Sequence, residues 1–154
     1  MSGVVRFSEA ASLALHAMVL IAAERGRRFQ VRDIAEALPI SSSHLAKVLQ
    51  RLVKVGLVDS ARGRGGGFAL ARDPAEITML EVYEAVEGRL EVSHCLFATP
   101  QCGGDCLLGD TLGKAGTLIR DRLAGSRLSD LVTVLQSRLK RPPRCATGPE
   151  KRKG

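Results

Sequence analysis

The stretch Ser41–Phe68, SSSHLAKVLQRLVKVGLVDSARGRGGGF, decides how the rest of the chain is read. Leu45, Val48, Leu49 and Leu52 follow the 3, 4 and 7 spacing of an amphipathic helix, so a helix is expected over Ser41–Val55, with Gly56 as its stop. Leu57–Ala61 and Gly67–Ala71 read as two short strands around Arg62-Gly63-Arg64-Gly65-Gly66, the pattern of a hairpin. Upstream, Val31–Leu38 reads as a helix with Ile34, Ala35 and Leu38 on one face. It ends at Pro39, because the residue before a proline avoids helical geometry. Two helices joined by a tight Pro39-Ile40 turn, then a glycine-rich hairpin, are the layout of a winged helix-turn-helix.

In that layout the second helix meets the major groove through its N-terminal residues, here Ser41, Ser42, Ser43, His44 and Lys47. Serine hydroxyls donate and accept, so they serve phosphates and base edges alike. Arg51 and Lys54 lie further along the helix and suit phosphates. Arg62 and Arg64 stand at the hairpin tip, where an arginine can enter a narrow minor groove. Each part alone has an ordinary explanation: serines cap helices, basic faces are solvated, and glycine-rich loops simply turn. The conjunction predicts binding to double-stranded DNA.

The charge distribution agrees. The 154-residue chain has a net charge of +7, but residues 1–72 hold 11 basic and 5 acidic side chains, whereas residues 73–139 hold 6 and 10. Residues 140–154 add 6 basic and 1 acidic side chain on a proline-rich stretch. The expected organisation is a DNA-binding domain over 1–72, a sensor loop with dimerisation helices over 73–139, and a disordered basic tail over 140–154. Four Phe, one Tyr and no Trp leave little for stacking unpaired bases. No Ser/His/Asp grouping, phosphate loop or carboxylate pair is present, so an enzyme is not expected.

Ser8–Arg25 reads as a mostly buried helix with Ser8 as N-cap and Gly26 as terminator. Its apolar run, Leu13–Ala23, is too short for a bilayer, and with Glu9 and His16 in or beside it a secretion signal is not expected. A cytoplasmic protein with reduced thiols is the expectation. Thr78-x-x-Glu81 is a capping box flanked by Ile77 and Val82, opening a helix that runs to Gly88. Gly88–Gly109 looks irregular. Leu108–Ala124 is a long helix ended by Gly125, and a shorter one runs over Ser129–Leu139. Gly109, Gly113 and Gly116 in or beside the long helix would let a second copy's helix approach closely, so a homodimer is expected.

Cys95, Cys102 and Cys106 place three thiols within 12 residues of one loop. Three thiolates suit a soft metal or an iron–sulfur cluster, while the zinc spacing Cys-x2-Cys is missing. A fourth position is left for His16, His94, Asp110, Cys145 or a partner subunit's residue.

Several of these pieces together resemble the Rrf-two (Rrf2) family of bacterial regulators of the IscR, NsrR and CymR type. The likeness spans about residues 5–137. It rests on Phe7-Ser8-Glu9 through Ala14-Leu15-His16-Ala17, Asp33-Ile34-Ala35, Ser43-His44-Leu45 with Val48-Leu49-Gln50-Arg51-Leu52, Gly56-Leu57-Val58, and above all Arg62-Gly63-Arg64-Gly65-Gly66-Gly67-Phe68. The resemblance implies a mainly α fold with a small β-hairpin wing and a long dimerisation helix. It implies a homodimeric repressor or activator on a palindromic operator, with Arg62 in the minor groove. It also implies an iron–sulfur cluster, 2Fe–2S or 4Fe–4S, on Cys95, Cys102 and Cys106. His16 matches the first-helix histidine that serves as fourth ligand in one branch; Ser12 stands where others have an acid. The x6 and x3 cysteine spacing departs from the commoner patterns, and Ala46 replaces a glutamate that some members carry in the recognition helix. The competing expectation is a cluster-free, zinc- or thiol-based repressor that acts with a partner protein or small ligand.

Overall fold

The computed structural model describes residues 7–38, 40–95, 103 and 108–139. The elements run α1 (Glu9–Ala23), α2 (Val31–Ala37), α3 (Ser42–Lys54), β1 (Val58–Ala61), β2 (Gly67–Leu70), α4 (Met79–Glu87), α5 (Gly109–Gly125) and α6 (Leu128–Leu139). Every element expected from the sequence is found, with ends shifted by up to two residues. The expected turn proline, Pro39, and the tail 140–154 lie outside the described residues.

Local chemistry explains the boundaries. The Ser8 hydroxyl accepts the Ala11 amide at 3.1 Å and opens α1. At α4 the Thr78 hydroxyl accepts the Glu81 amide at 3.1 Å, while the Glu81 carboxylate accepts the Thr78 amide at 2.8 Å. Two amides that a helix start leaves without partners are thereby satisfied. Ile77 and Val82, on either side of this box, are both fully buried.

The core is built around α1, whose Ala11, Leu13, Ala14, Ala17, Met18, Ile21 and Ala22 are all buried. It packs against α3, α4, α6 and β2. From α3 come Leu45, Val48, Leu49 and Leu52, the positions marked by helical spacing. Burying each large aliphatic side chain is worth about 1.5–3 kcal/mol. One apolar cluster runs from Ala11 to Leu128, so the change of charge sign near residue 72 is not a break in packing.

The hairpin pairs β1 and β2 antiparallel, with Val58 opposite Leu70 and Ala61 opposite Gly67. A third short partner was not expected: Phe29 pairs with Phe68 through two backbone hydrogen bonds of 2.9 and 2.8 Å. The approach requires glycine at 67. A Cβ there would lie 2.6 Å from the Phe29 carbonyl oxygen, and its φ is +132°. A second bridge, Thr78 with Arg127, sews the start of α4 to the start of α6.

Burial pushes the Glu81 carboxyl up, but the hydrogen bonds from Thr78 and the Arg72 guanidinium outweigh it and hold it below its ordinary value of 4.5. The stability this carboxylate contributes is therefore full above pH 4.5 and lost as pH falls through the lower folded value. Glu81→Gln is expected to flatten that acid limb in urea titrations run at successive pH values. Thr78→Ala is expected to cost about 1 kcal/mol at neutral pH, read as a shift of the urea midpoint with unchanged slope.

Candidate nucleic-acid interface

Helix α3 starts at an extended Ser41 that does not cap it: its hydroxyl turns to the Ser43 hydroxyl at 2.8 Å. Ser41, Ser42 and Ser43 are all exposed, so their hydroxyls are available to an external partner. His44, half-buried, lies 3.7 Å from the Glu9 carboxylate at the start of α1. Lys47 is exposed on the same helix. Arg62 and Arg64 are exposed at the wing tip, which closes on itself through the Gly66 amide and the Gly63 carbonyl at 3.0 Å.

Ion pairing sorts the basic residues of the first half. Arg25 pairs with Asp73 at 2.6 Å, Arg27 with Glu24 at 2.7 Å, Arg28 with Asp59 at 2.5 Å, Arg32 with Glu36 at 3.7 Å and Arg72 with Glu81 at 2.9 Å. The Arg28 hydrogen bond holds the Asp59 carboxyl below the usual range, while the Ala75 amide, followed by Arg25, does the same for Asp73. Among the described residues, Lys47, Lys54, Arg62 and Arg64 have no such acidic partner. The uncommitted positive charge therefore sits on α3 and at the wing tip, where it remains free to displace counterions from phosphates.

Arg51, exposed on α3, also makes a contact within the chain. Its guanidinium donates to the Val86 carbonyl at 3.0 Å, in the last turn of α4. It satisfies a carbonyl that the helix end leaves without a partner and ties α3 to α4. Sequence reasoning also missed Arg28 and Gln30. Arg28 donates to the Gly67 carbonyl at 3.1 Å, and Gln30 donates to the Gly66 carbonyl at 2.5 Å. Their signal, a polar–Phe–polar triplet before α2, is too short to register as a strand.

Of the cysteine set, Cys95 is half-buried, and Cys102 and Cys106 lie outside the described residues. Among the described residues no three His, Cys, Asp or Glu side chains are gathered as a metal site. Cys95 is fastened by its neighbour: its amide donates to the Ser93 hydroxyl at 3.2 Å. The adjacent His94 ring lies flush on α5, where a Cβ at Gly113 would fall 2.2 Å from its Nδ1. The small-residue notch read as room for a partner helix thus receives the chain's own histidine at this position. His16 is exposed, with Nδ1 2.7 Å from the Ser12 carbonyl oxygen. A carbonyl only accepts, so Nδ1 donates its proton there, and in the neutral ring the lone pair is on Nε2.

Residues 7–134 match the Rrf2 family, described as iron-dependent transcriptional regulators. The chain belongs to the Rrf2 family. It is a helix-turn-helix transcriptional regulator that binds DNA, and not an enzyme. An HTH-type transcriptional regulator of Aquifex aeolicus (strain VF5) is 30% identical over 137 residues, 86% of this chain and 95% of that one. NsrR of Bacillus subtilis (strain 168) is 37% identical over 106 residues, 64% of this chain and 73% of that one. The structure of IscR from T. potens superposes with a TM-score of 0.70 at 25% identity, over 94% of each chain. CymR, the global cysteine regulator of B. subtilis, shares the fold with a TM-score of 0.70 at 22% identity, over 84% of this chain and 98% of that one. Among the described residues no helix is long and apolar enough to cross a membrane.

The two kinds of arginine in this Rrf2 protein should separate on DNA. Arg51→Ala is expected to lower stability by about 1–2 kcal/mol through the lost carbonyl contact. It should leave the slope of log affinity against log salt unchanged, whereas removing a phosphate contact reduces that slope by about 1.

Proposed function

We propose that this Rrf2 protein is a homodimeric regulator that reads a palindromic operator with α3 and the wing, and senses redox state, nitric oxide or iron–sulfur supply through a cluster. The observation that carries the DNA-reading part is the segregation of charge. Five arginines are spent on internal ion pairs, while Lys47, Arg62 and Arg64 stay uncommitted beside the exposed serines of α3. Ser41, Ser42, Ser43, His44 and Lys47 are the groove-reading set, and Arg62 and Arg64 enter the minor groove.

Dimerisation is supported by apolar surface on the last two helices. Leu118 on α5 is 72% exposed and Val134 on α6 is 46% exposed. Val134 also lines an apolar groove with Leu15, Val19, Leu38, Leu131 and Leu135. A second copy that buries this surface would gain about 25 cal/mol for each Å² covered.

The donor set fits an iron–sulfur cluster. Cys95, Cys102 and Cys106 would supply three soft thiolates, and His16 would supply Nε2 as fourth ligand, its tautomer fixed by the Ser12 carbonyl. A bound cluster would supply an oxidisable centre that nitric oxide can attack. Cys95 follows α4, and α4 is tied to α3 through Arg51, so a change at the loop has a physical route to the recognition helix. Control requires apo and holo forms to differ in DNA affinity.

Anaerobic purification tests the cluster directly. A brown protein absorbing near about 400 nm, bleached in Cys102→Ala, is the expected result. Colourless protein, with zinc or with no metal, would select the cluster-free repressor. Titration of a selected operator with apo and holo protein is expected to give different affinities; equal affinities would remove the sensing role.

A further inference from the structure

We propose that Gln30 is a positioning residue that sets the wing tip against the helix-turn-helix, by holding the Gly66 carbonyl with its side chain while its backbone starts α2. This deepens the reading above and rests on the wing arginines contacting DNA.

The tip residues Arg62, Gly63, Arg64 and Gly65 are all exposed, so no core packing aims them. Their direction is inherited from the two strand ends that carry the loop. The returning end is gripped residue by residue from the segment before α2. Phe68 exchanges backbone hydrogen bonds with Phe29 at 2.9 and 2.8 Å, Gly67 accepts from Arg28 at 3.1 Å, and Gly66 accepts from Gln30 at 2.5 Å. The Gln30 contact is the one nearest the tip, at the residue where the loop ends.

The other half of Gln30 is equally fixed. Its amide donates to the Asp33 carboxylate at 3.0 Å, and its carbonyl accepts from the Asp33 amide at 3.1 Å. These bonds define the first turn of α2, and α2 packs against α3. One residue therefore spans from the helix pair to the end of the wing loop. To the wing the side chain contributes one hydrogen bond, donated to the Gly66 carbonyl, and it carries no charge and no aromatic surface. Losing it leaves the Gly66 carbonyl without that partner and frees the tip to swing. Arg62 and Arg64 would then have to be ordered on binding, and that ordering lowers affinity.

The test is a double-mutant cycle on binding to a fluorescein-labelled duplex enriched from a randomised pool by the wild-type protein, with a scrambled duplex as reference. Gln30→Ala is expected to weaken binding to the enriched duplex about fivefold, with less than twofold change on the scrambled one. In an Arg62→Ala/Arg64→Ala background the same substitution is expected to cost nothing further. Gln30→Met keeps the length of the side chain without a charge but has no N–H to donate, and should behave like Gln30→Ala. Thermal melting of each variant covers the case in which alanine disturbs α2; Gln30→Met then carries the cycle. Equal losses in both backgrounds, or no loss in the wild-type background, would overturn the positioning role while leaving the wing contacts standing. If Arg62→Ala/Arg64→Ala binds the enriched duplex as wild type does, the wing-contact reading fails, and the role of Gln30 fails with it.

Discussion

Helix α1 is apolar over most of its circumference, leaving one exposed edge at Glu9, Ser12 and His16. A helix of that kind is stable only when surrounded. Here α3, α4, α6 and β2 supply the surroundings. Alanines at 11, 14, 17 and 22 let these neighbours come close, while Leu13, Met18 and Ile21 fill the space between them. The recognition helix therefore takes its attitude from a helix that also packs against the two helices flanking the cysteine segment and α5. Among the described residues, α3 and α4, the helix that precedes the cysteine segment, rest on the same buried surface of α1.

Much of this was legible because the deciding signals are local. The spacing of Leu45, Val48, Leu49 and Leu52 and the Thr78–Glu81 box each lie within two helical turns. Ends were less legible. Helix α1 stops at Ala23 because Glu24 already leaves helical geometry, with φ −119° and ψ 74°, so the terminating Gly26 lies beyond a short turn. The contacts that pattern could not reveal are those between distant residues. Phe29 meets Phe68, and Arg51 reaches Val86 across 35 positions. Nothing in the sequence around Arg51 reveals its contact with the end of α4.

Charge shows the same limit more sharply. The positive balance of residues 1–72 was visible by counting, but its meaning depends on which arginines already have acidic partners. Arg25 finds Asp73, and Arg72 finds Glu81, both across the boundary where the balance changes sign. These exposed pairs add little stability. Their effect is to occupy these arginines, whereas Lys47, Arg62 and Arg64 have no such acidic partner among the described residues. The serines and wing arginines were legible because polar residues at a helix start and at a hairpin tip stay at the surface. For the cysteines, spacing suggests a shared ligand but does not assign the fourth donor.

The seating of Leu128 in the core has a consequence for how the protein is made. Leu128 is fully buried and belongs to the same cluster as Ala11. On the ribosome, α1 is synthesised well before α6, so one side of α1 waits until Leu128 has been made. At roughly 5–20 residues per second, that wait is on the order of ten seconds. Through it, a strongly apolar helix is partly uncovered in a nascent chain whose helix-turn-helix has already been translated. Folding vectorially, this chain completes the packing around α1 only once α6 has emerged.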